Sequence, residues 1–222
     1  MPRALTFKAL AALLSYPEQE LVDALPELAA ALDSEKLVPP RERKALGALI
    51  AELAQTELMT LQERYVGLFD RSRELSLHLF EHVHGESRER GQAMVDLGKL
   101  YASHGFALEG NELPDFLPAV LEYLSYRPAA EAQVLLADMA HILQVLGGRL
   151  ARRANAYSAV LAALVRLAGE KPAFDPASGG TSPESESAAA IDESWAEPPA
   201  FGGRPGDAQV APVRFYPKGA AR

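Results

Sequence analysis

Apolar residues recur at helical spacing through most of the first 169 positions, and period-two alternation never lasts beyond a few residues. Leu5, Ala9, Ala12 and Leu13 share one face of an opening helix over 2–14. Tyr16-Pro17 ends it, because proline disfavours helix in the residue before it. A second helix is predicted over 18–32, with Pro26 a candidate kink point, and a third over 40–53. In the fourth, over 57–69, Thr56 suits the N-cap and Leu58, Leu61, Tyr65 and Leu68 repeat at spacings of 3, 4 and 3. The fifth covers 86–104 and closes at Gly105, and the sixth opens on a proline at 114 and ends at 125. The seventh, over 129–153, carries Val134, Leu135, Met139, Ile142, Leu143 and Leu146, with Gly147-Gly148 a candidate break. The eighth covers 157–168. No repeat of fixed period is present. The expected fold is all-α, a single helical-bundle domain of about eight helices.

The pattern stops after Gly169. Residues 170–222 hold 8 of the chain's 16 prolines and 6 of its 16 glycines, with a Ser/Glu run at 182–187. Such a composition buries too little apolar surface to offset its ordering entropy. The expected organisation is therefore a helical domain over 1–169 and a Pro/Gly/Ser/Glu-rich disordered tail over 170–222, with Trp195 and 213–216 as candidate docking segments. The formal charge of −8 opposes a general nucleic-acid binder, which needs a basic face. The absence of cysteine excludes disulfides, thiolate metal sites and cysteine nucleophiles. The longest uninterrupted apolar run is 159–165, far short of the roughly 20 residues a membrane span needs. Lys8 interrupts the N-terminal apolar run, so the opening segment reads as a core helix of a cytoplasmic protein rather than a leader.

Candidate chemistry concentrates in two stretches. In Leu77-His78-Leu79-Phe80-Glu81-His82-Val83-His84-Gly85-Glu86, His78 and His82 lie one helical turn apart, a spacing that serves zinc. Leu79 stands where a His-Glu-x-x-His enzyme has its general base, and Glu81 or Glu86 would have to complete a carboxylate–histidine site. The other reading has these histidines hydrogen-bonded within an ordered connection. The second stretch begins Glu112-Leu113-Pro114-Asp115, with Asp115 near a helix N-terminus, where a carboxylate is favourable. Phe116, Val120, Leu121 and Leu124 follow as core or groove lining. Arg149, Arg152 and Arg153 complement the dipole at the end of the seventh helix, with an anion site the alternative. Phosphate-loop, Gly-x-Gly-x-x-Gly and Gly-x-Ser-x-Gly patterns are absent from the sequence.

Several stretches together resemble one family. They are Phe7-Lys8-Ala9-Leu10-Ala11-Ala12-Leu13-Leu14-Ser15-Tyr16-Pro17, Tyr65-Val66-Gly67-Leu68-Phe69-Asp70-Arg71, and the Glu112–Asp115 element with Leu121-Glu122-Tyr123-Leu124. The likeness is strongest in Ser76-Leu77-His78-Leu79-Phe80-Glu81-His82-Val83-His84-Gly85-Glu86-Ser87-Arg88-Glu89-Arg90-Gly91-Gln92-Ala93-Met94. Over residues 5–168 the chain resembles the nitrate reductase delta-subunit (NarJ) chaperones. More loosely, it resembles the wider group that assembles trimethylamine-N-oxide and dimethylsulfoxide reductases. The resemblance implies an all-helical, cytoplasmic, system-specific chaperone rather than an enzyme. Its client would be the apo catalytic (alpha) subunit of respiratory nitrate reductase, gripped by an N-terminal basic amphipathic segment. Molybdenum bis-guanine-dinucleotide cofactor would enter that client before membrane docking. The chaperone itself would hold no permanent cofactor. Molybdenum cofactor biosynthesis proteins would be further partners, and neither nucleic acid nor membrane insertion is implied.

A basic amphipathic helix lays its apolar anchors in a groove and meets charge at the rim. On that basis Tyr65, Leu68, Phe69, Phe116, Val120, Leu121 and Tyr123 are the expected groove lining, and Glu112, Asp115 and Glu122 the acidic rim. His78, Glu81, His82, His84 and Glu86 belong to the most family-like segment without an assigned role. The alternatives are a different molybdoenzyme client and a metal-dependent helical enzyme built on the histidines.

Overall fold

A computed structural model describes residues 4–84, 88–108 and 112–176. These residues form α1 (Leu5–Leu13), α2 (Gln19–Glu35), α3 (Pro40–Gln55), α4 (Leu58–Tyr65), α5 (Leu79–His84), α6 (Arg88–Ser103), α7 (Leu117–Ser125), α8 (Ala129–Arg152) and α9 (Ser158–Leu167). The fold is all-α, and the β pairing among the described residues is one isolated antiparallel bridge between His78 and Phe116.

The centre of the bundle is α9, whose residues from Ser158 to Val165 are all buried. A helix that is apolar on every side needs neighbours on every side. α8 folds back along it and α3 packs against it, while α1 lies between α2 and α7. α8 is long and apolar enough to cross a membrane by length and composition. Here Leu136, Ala140, Leu143, Leu146 and Leu150 face inward, while Glu131, Asp138 and His141 are exposed. Charges join the elements at their ends. Glu35, the last residue of α2, accepts from Leu5 N–H and Thr6 N–H at 2.8 Å and from the Thr6 hydroxyl at 2.7 Å. It thereby serves donors that the first turn of α1 leaves unpaired. Burial works against its charge, yet these hydrogen bonds outweigh burial and hold the carboxyl below its ordinary value. Glu42 on α3 is 1% exposed and pairs with Arg166 Nε of α9 at 3.0 Å.

Several boundaries differ from the sequence reading for local reasons. α2 runs through Pro26, which sits on the solvent side, and ends at Lys36 with φ of 53°. α4 stops at Tyr65, and residues Val66–Asp70 wind on as a π turn. α5 is an additional short helix ahead of α6. α7 begins at Leu117, so Pro118 lies in its first turn, where no helix donor is lost. Gly147-Gly148 does not break α8. Instead, a Cβ built on Gly147 would clash with the outer edge of the Phe174 ring. The folded unit thus continues past 169: residues 170–176 lie on α8 and reach α3. The remainder of the expected tail, 177–222, lies outside the described residues, and Trp195 and 213–216 lie there too.

Candidate functional site

The two chemistry-bearing stretches meet. Leu79 N–H donates to the Asp115 carbonyl at 3.0 Å and Leu117 N–H to the Leu77 carbonyl at 2.9 Å. These bonds bracket the His78–Phe116 pair and fix its register. Asp115 is 0% exposed. Its Oδ2 accepts Phe80 N–H of α5 at 2.9 Å, and its Oδ1 stands 3.3 Å from His78 Nδ1. A carboxylate fully out of water needs such partners. The hydrogen bond to Asp115 raises the His78 pKa, against the opposing effect of burial; the charges of Asp115, Glu81 and Glu112 act in the same upward direction. His82 Nε2 donates to the Ser76 carbonyl at 2.8 Å, while Ser76 Oγ accepts His78 N–H at 3.2 Å. Tyr101 of α6 donates to the Pro114 carbonyl at 2.9 Å, holding the turn that delivers Asp115.

An open cavity of about 280 Å³ borders this junction, lined by Phe69, Asp70, Ser72, Arg73, Ser76, His78 and Glu81. The π turn adds a residue to the end of α4 and carries Phe69 and Asp70 to this edge; such insertions recur at functional sites. Phe69 is held from behind by Tyr65 and Tyr157, with ring centroids 5.0 and 5.2 Å away. Burial pushes the hydroxyls of both tyrosines well above the usual phenol range, so they stay neutral. Glu81 pairs with Arg90 of α6 at 3.1 Å. Asp70 and Glu112 are exposed, and the charge of Glu112 reaches both Tyr65 and His78. Behind the cavity wall, Arg149 of α8 donates to the Glu74 carbonyl, and Arg153 lies 3.7 Å from the Glu74 carboxylate. These two arginines therefore tie the end of α8 to the turn at Arg73–Leu75 beside the cavity.

The residues expected to line one groove divide. Phe69 lines the cavity, and half-buried Phe116 stands beside it with its ring centroid 5.3 Å from that of His78. Tyr65 is buried, its hydroxyl donating to the Leu14 carbonyl at 2.8 Å. Leu68 lines a smaller pocket with Arg64, Asn155 and Tyr157. Val120 and Leu121 are interior, and Tyr123 is buried with its hydroxyl 2.9 Å from His104 Nδ1. Of the expected rim, Glu112 and Glu122 are exposed, whereas Asp115 is enclosed and presents no charge to solvent. Its position at a helix start was legible; what was not is that it serves a different helix, α5, across the chain. Asp70, Ser72, Arg73 and Ser76 were missed as cavity residues, although the family-like stretches contain Asp70 and Ser76. Among the described residues no group of three or more His, Asp or Glu could hold a metal ion. The side chain of His84, and Glu86, lie outside the described residues.

The arrangement defines a helical bundle with a side-chain-sized polar cavity opening beside aromatic residues. The crystal structure of a proposed redox enzyme maturation protein from Archaeoglobus fulgidus shares this fold. Its TM-score is 0.55 at 19% identity, covering 75% of this chain and 94% of that one. The family model for the nitrate reductase delta subunit matches residues 17–163. The nitrate reductase molybdenum cofactor assembly chaperone NarJ of Escherichia coli K12 is 45% identical over 156 residues, 70% of this chain and 66% of its own length. The "Probable nitrate reductase molybdenum cofactor assembly chaperone NarW" of the same strain is 38% identical over 192 residues, 86% of this chain and 80% of its own. The chain belongs to the nitrate reductase delta-subunit family.

Proposed function

We propose that this chain is the assembly chaperone of a respiratory nitrate reductase. It acts in the cytoplasm on the apo catalytic subunit and holds it competent for insertion of the molybdenum bis-guanine-dinucleotide cofactor before membrane docking. The observation that carries this reading is the 45% identity to NarJ over 156 residues, 70% of this chain. The chaperone performs no turnover and keeps no cofactor of its own.

The client element is the basic amphipathic N-terminal segment of that subunit. Its apolar side docks by half-buried Phe116 and by the edge that buried Phe69 turns to the cavity, and its cations approach Asp70, Glu112 and Glu122. A cavity of about 280 Å³ lies just below the usual small-ligand range, so it suits one inserted side chain of a longer segment. Longer-range charge then sets direction and on-rate, while the apolar anchors set residence time.

The test is isothermal titration with a synthetic peptide of the catalytic subunit's N-terminus at low and high salt. Saturable one-to-one binding that weakens with salt is expected. Failure of both the peptide and the intact apo subunit to bind at either salt overturns the reading.

A further inference from the structure

Residues 170–176 cross α8 and reach the start of α3 without forming a helix or strand. Their contacts are those of a bound peptide. Gln144 of α8 uses both ends of its amide on their backbone. Its Nε2 donates to the Lys171 carbonyl at 2.9 Å and its Oε1 accepts Ala173 N–H at 2.9 Å. One side chain so satisfies two main-chain groups flanking Pro172, as a neighbouring strand would, and its Nε2 also reaches the Glu170 carboxylate at 3.4 Å. One turn further along α8, the far edge of the Phe174 ring occupies the space where a Cβ on buried Gly147 would stand. The ring packs against the core. Beyond it, Asp175 pairs with Arg41 of α3 at 2.7 Å, and Pro176 is buried.

The geometry points to a second peptide-binding site, on the α8–α3 face, that takes an extended segment with an aromatic residue followed by an acidic one. Its resident ligand is this chain's own 170–176. The site has a clamp that takes mainly backbone (Gln144), an aromatic notch (Gly147) and a cation that sets direction (Arg41). It shares no residue with the cavity lined by Phe69 and His78. Exposed hydrogen bonds and an ion pair with side chains 58% and 81% exposed are individually weak. The ring is therefore the principal anchor. Covalent attachment supplies the effective concentration, on the millimolar scale for a short tether, that keeps a weak ligand seated. A free peptide of the same pattern takes the site when the resident ring is removed.

The test uses the full chain. In wild type the Ala173 amide is expected to be protected from hydrogen exchange, and Gly147→Ala, with its helix content intact by circular dichroism, is expected to speed its exchange at least about tenfold. An unprotected Ala173 amide in wild type, or equal exchange in the two proteins, overturns the seat. A fluorescein-labelled peptide, Glu-Lys-Pro-Ala-Phe-Asp-Pro, is then titrated by anisotropy. It is expected to bind the Phe174→Ala chain at least about tenfold more tightly than wild type, where the resident strap competes. The gain is expected to disappear when alanine replaces the peptide's phenylalanine. Absence of saturable binding to Phe174→Ala at millimolar peptide, or binding indifferent to the peptide's ring, overturns the exchangeable site. The wild-type exchange measurement stands even where a variant does not fold.

Discussion

α9 and α6 carry equally readable helical patterns and end in opposite environments. α9 buries every residue from Ser158 to Val165, whereas α6, with 16 residues, fully buries Tyr101 alone among its described side chains. The difference lies in what fills the helix. From Ala159 to Val165 α9 is Ala, Val and Leu on all sides, while α6 carries Arg88, Glu89, Arg90, Gln92, Asp96 and Lys99 beside a half-buried stripe of Met94, Leu97 and Leu100. The candidate site stands on the thinly packed side, where Glu81, paired to α6, and His78 border the cavity. The cavity lining comes from residues 69–81, backed on one side by Tyr157 and Arg149 of the close-packed hairpin and tied through Glu81 to the loosely covered α6, whose local opening costs little.

The largest effect should come from breaking the dense side. Leu161→Ala empties a fully buried site in α9 and is expected to cost about 3–4 kcal/mol of unfolding free energy. Leu97→Ala on half-buried α6 is expected to cost under about 1 kcal/mol, because the surface it uncovers was already partly wet. Urea denaturation of both variants checks the contrast. Equal losses would show that α6 is packed as firmly as α9.

Next come the carboxylates at the junction, which sort into support and surface. Asp115→Ala leaves Phe80 N–H and His78 without their acceptor in a buried place and is expected to cost about 2–3 kcal/mol. Asp115→Asn keeps one acceptor and should cost less. Asp70→Lys and Glu112→Lys, both exposed, should stay within about 0.5 kcal/mol of wild-type stability. They should instead slow client-peptide association about tenfold at low salt, with the difference closing at high salt. Slowed association in Asp115→Asn at unchanged stability would return that residue to the rim.

The dense side was also the legible side. The period of Val134 to Leu146 and the apolar run 159–165 locate α8 and α9 to within a residue or two, because burial there largely follows local pattern, although Val134 itself is exposed. The junction was not legible, since its geometry is made by pairs distant in sequence. Asp115 completes α5 from 35 positions away in the chain, and nothing local in 112–118 tells a residue that opens its own helix from one that caps another. Gly147-Gly148 misled for the same reason. Glycine lowers helix propensity, so the pair reads as a break, yet its partner is a phenylalanine 27 positions on. The composition break at 169 hid that contact, because one aromatic anchor in a proline-rich stretch has no periodicity to detect.

The smallest expected effect separates the two regions by pH. Bonding to Asp115 raises the His78 pKa above its ordinary 6.5, so the folded state binds this proton more tightly than the unfolded chain. Below pH 6.5 both states are protonated and the contribution is fully present; it is lost as pH rises through the folded value. The side chain is 31% exposed, so solvent screening keeps the effect modest. Asp115, Glu81 and Glu112 reinforce it, while burial of the ring opposes it. Glu35 acts with the opposite sign at lower pH, its contribution being present above 4.5 and lost as pH falls through its lowered folded value. Unfolding free energies of wild type and His78→Gln are therefore expected to converge between pH 6 and 8.5, while the deficit of Leu161→Ala stays constant over that range. A His78→Gln deficit that widens with pH would mean that the neutral imidazole is the one the junction holds, and that Asp115 is occupied by Phe80 N–H alone.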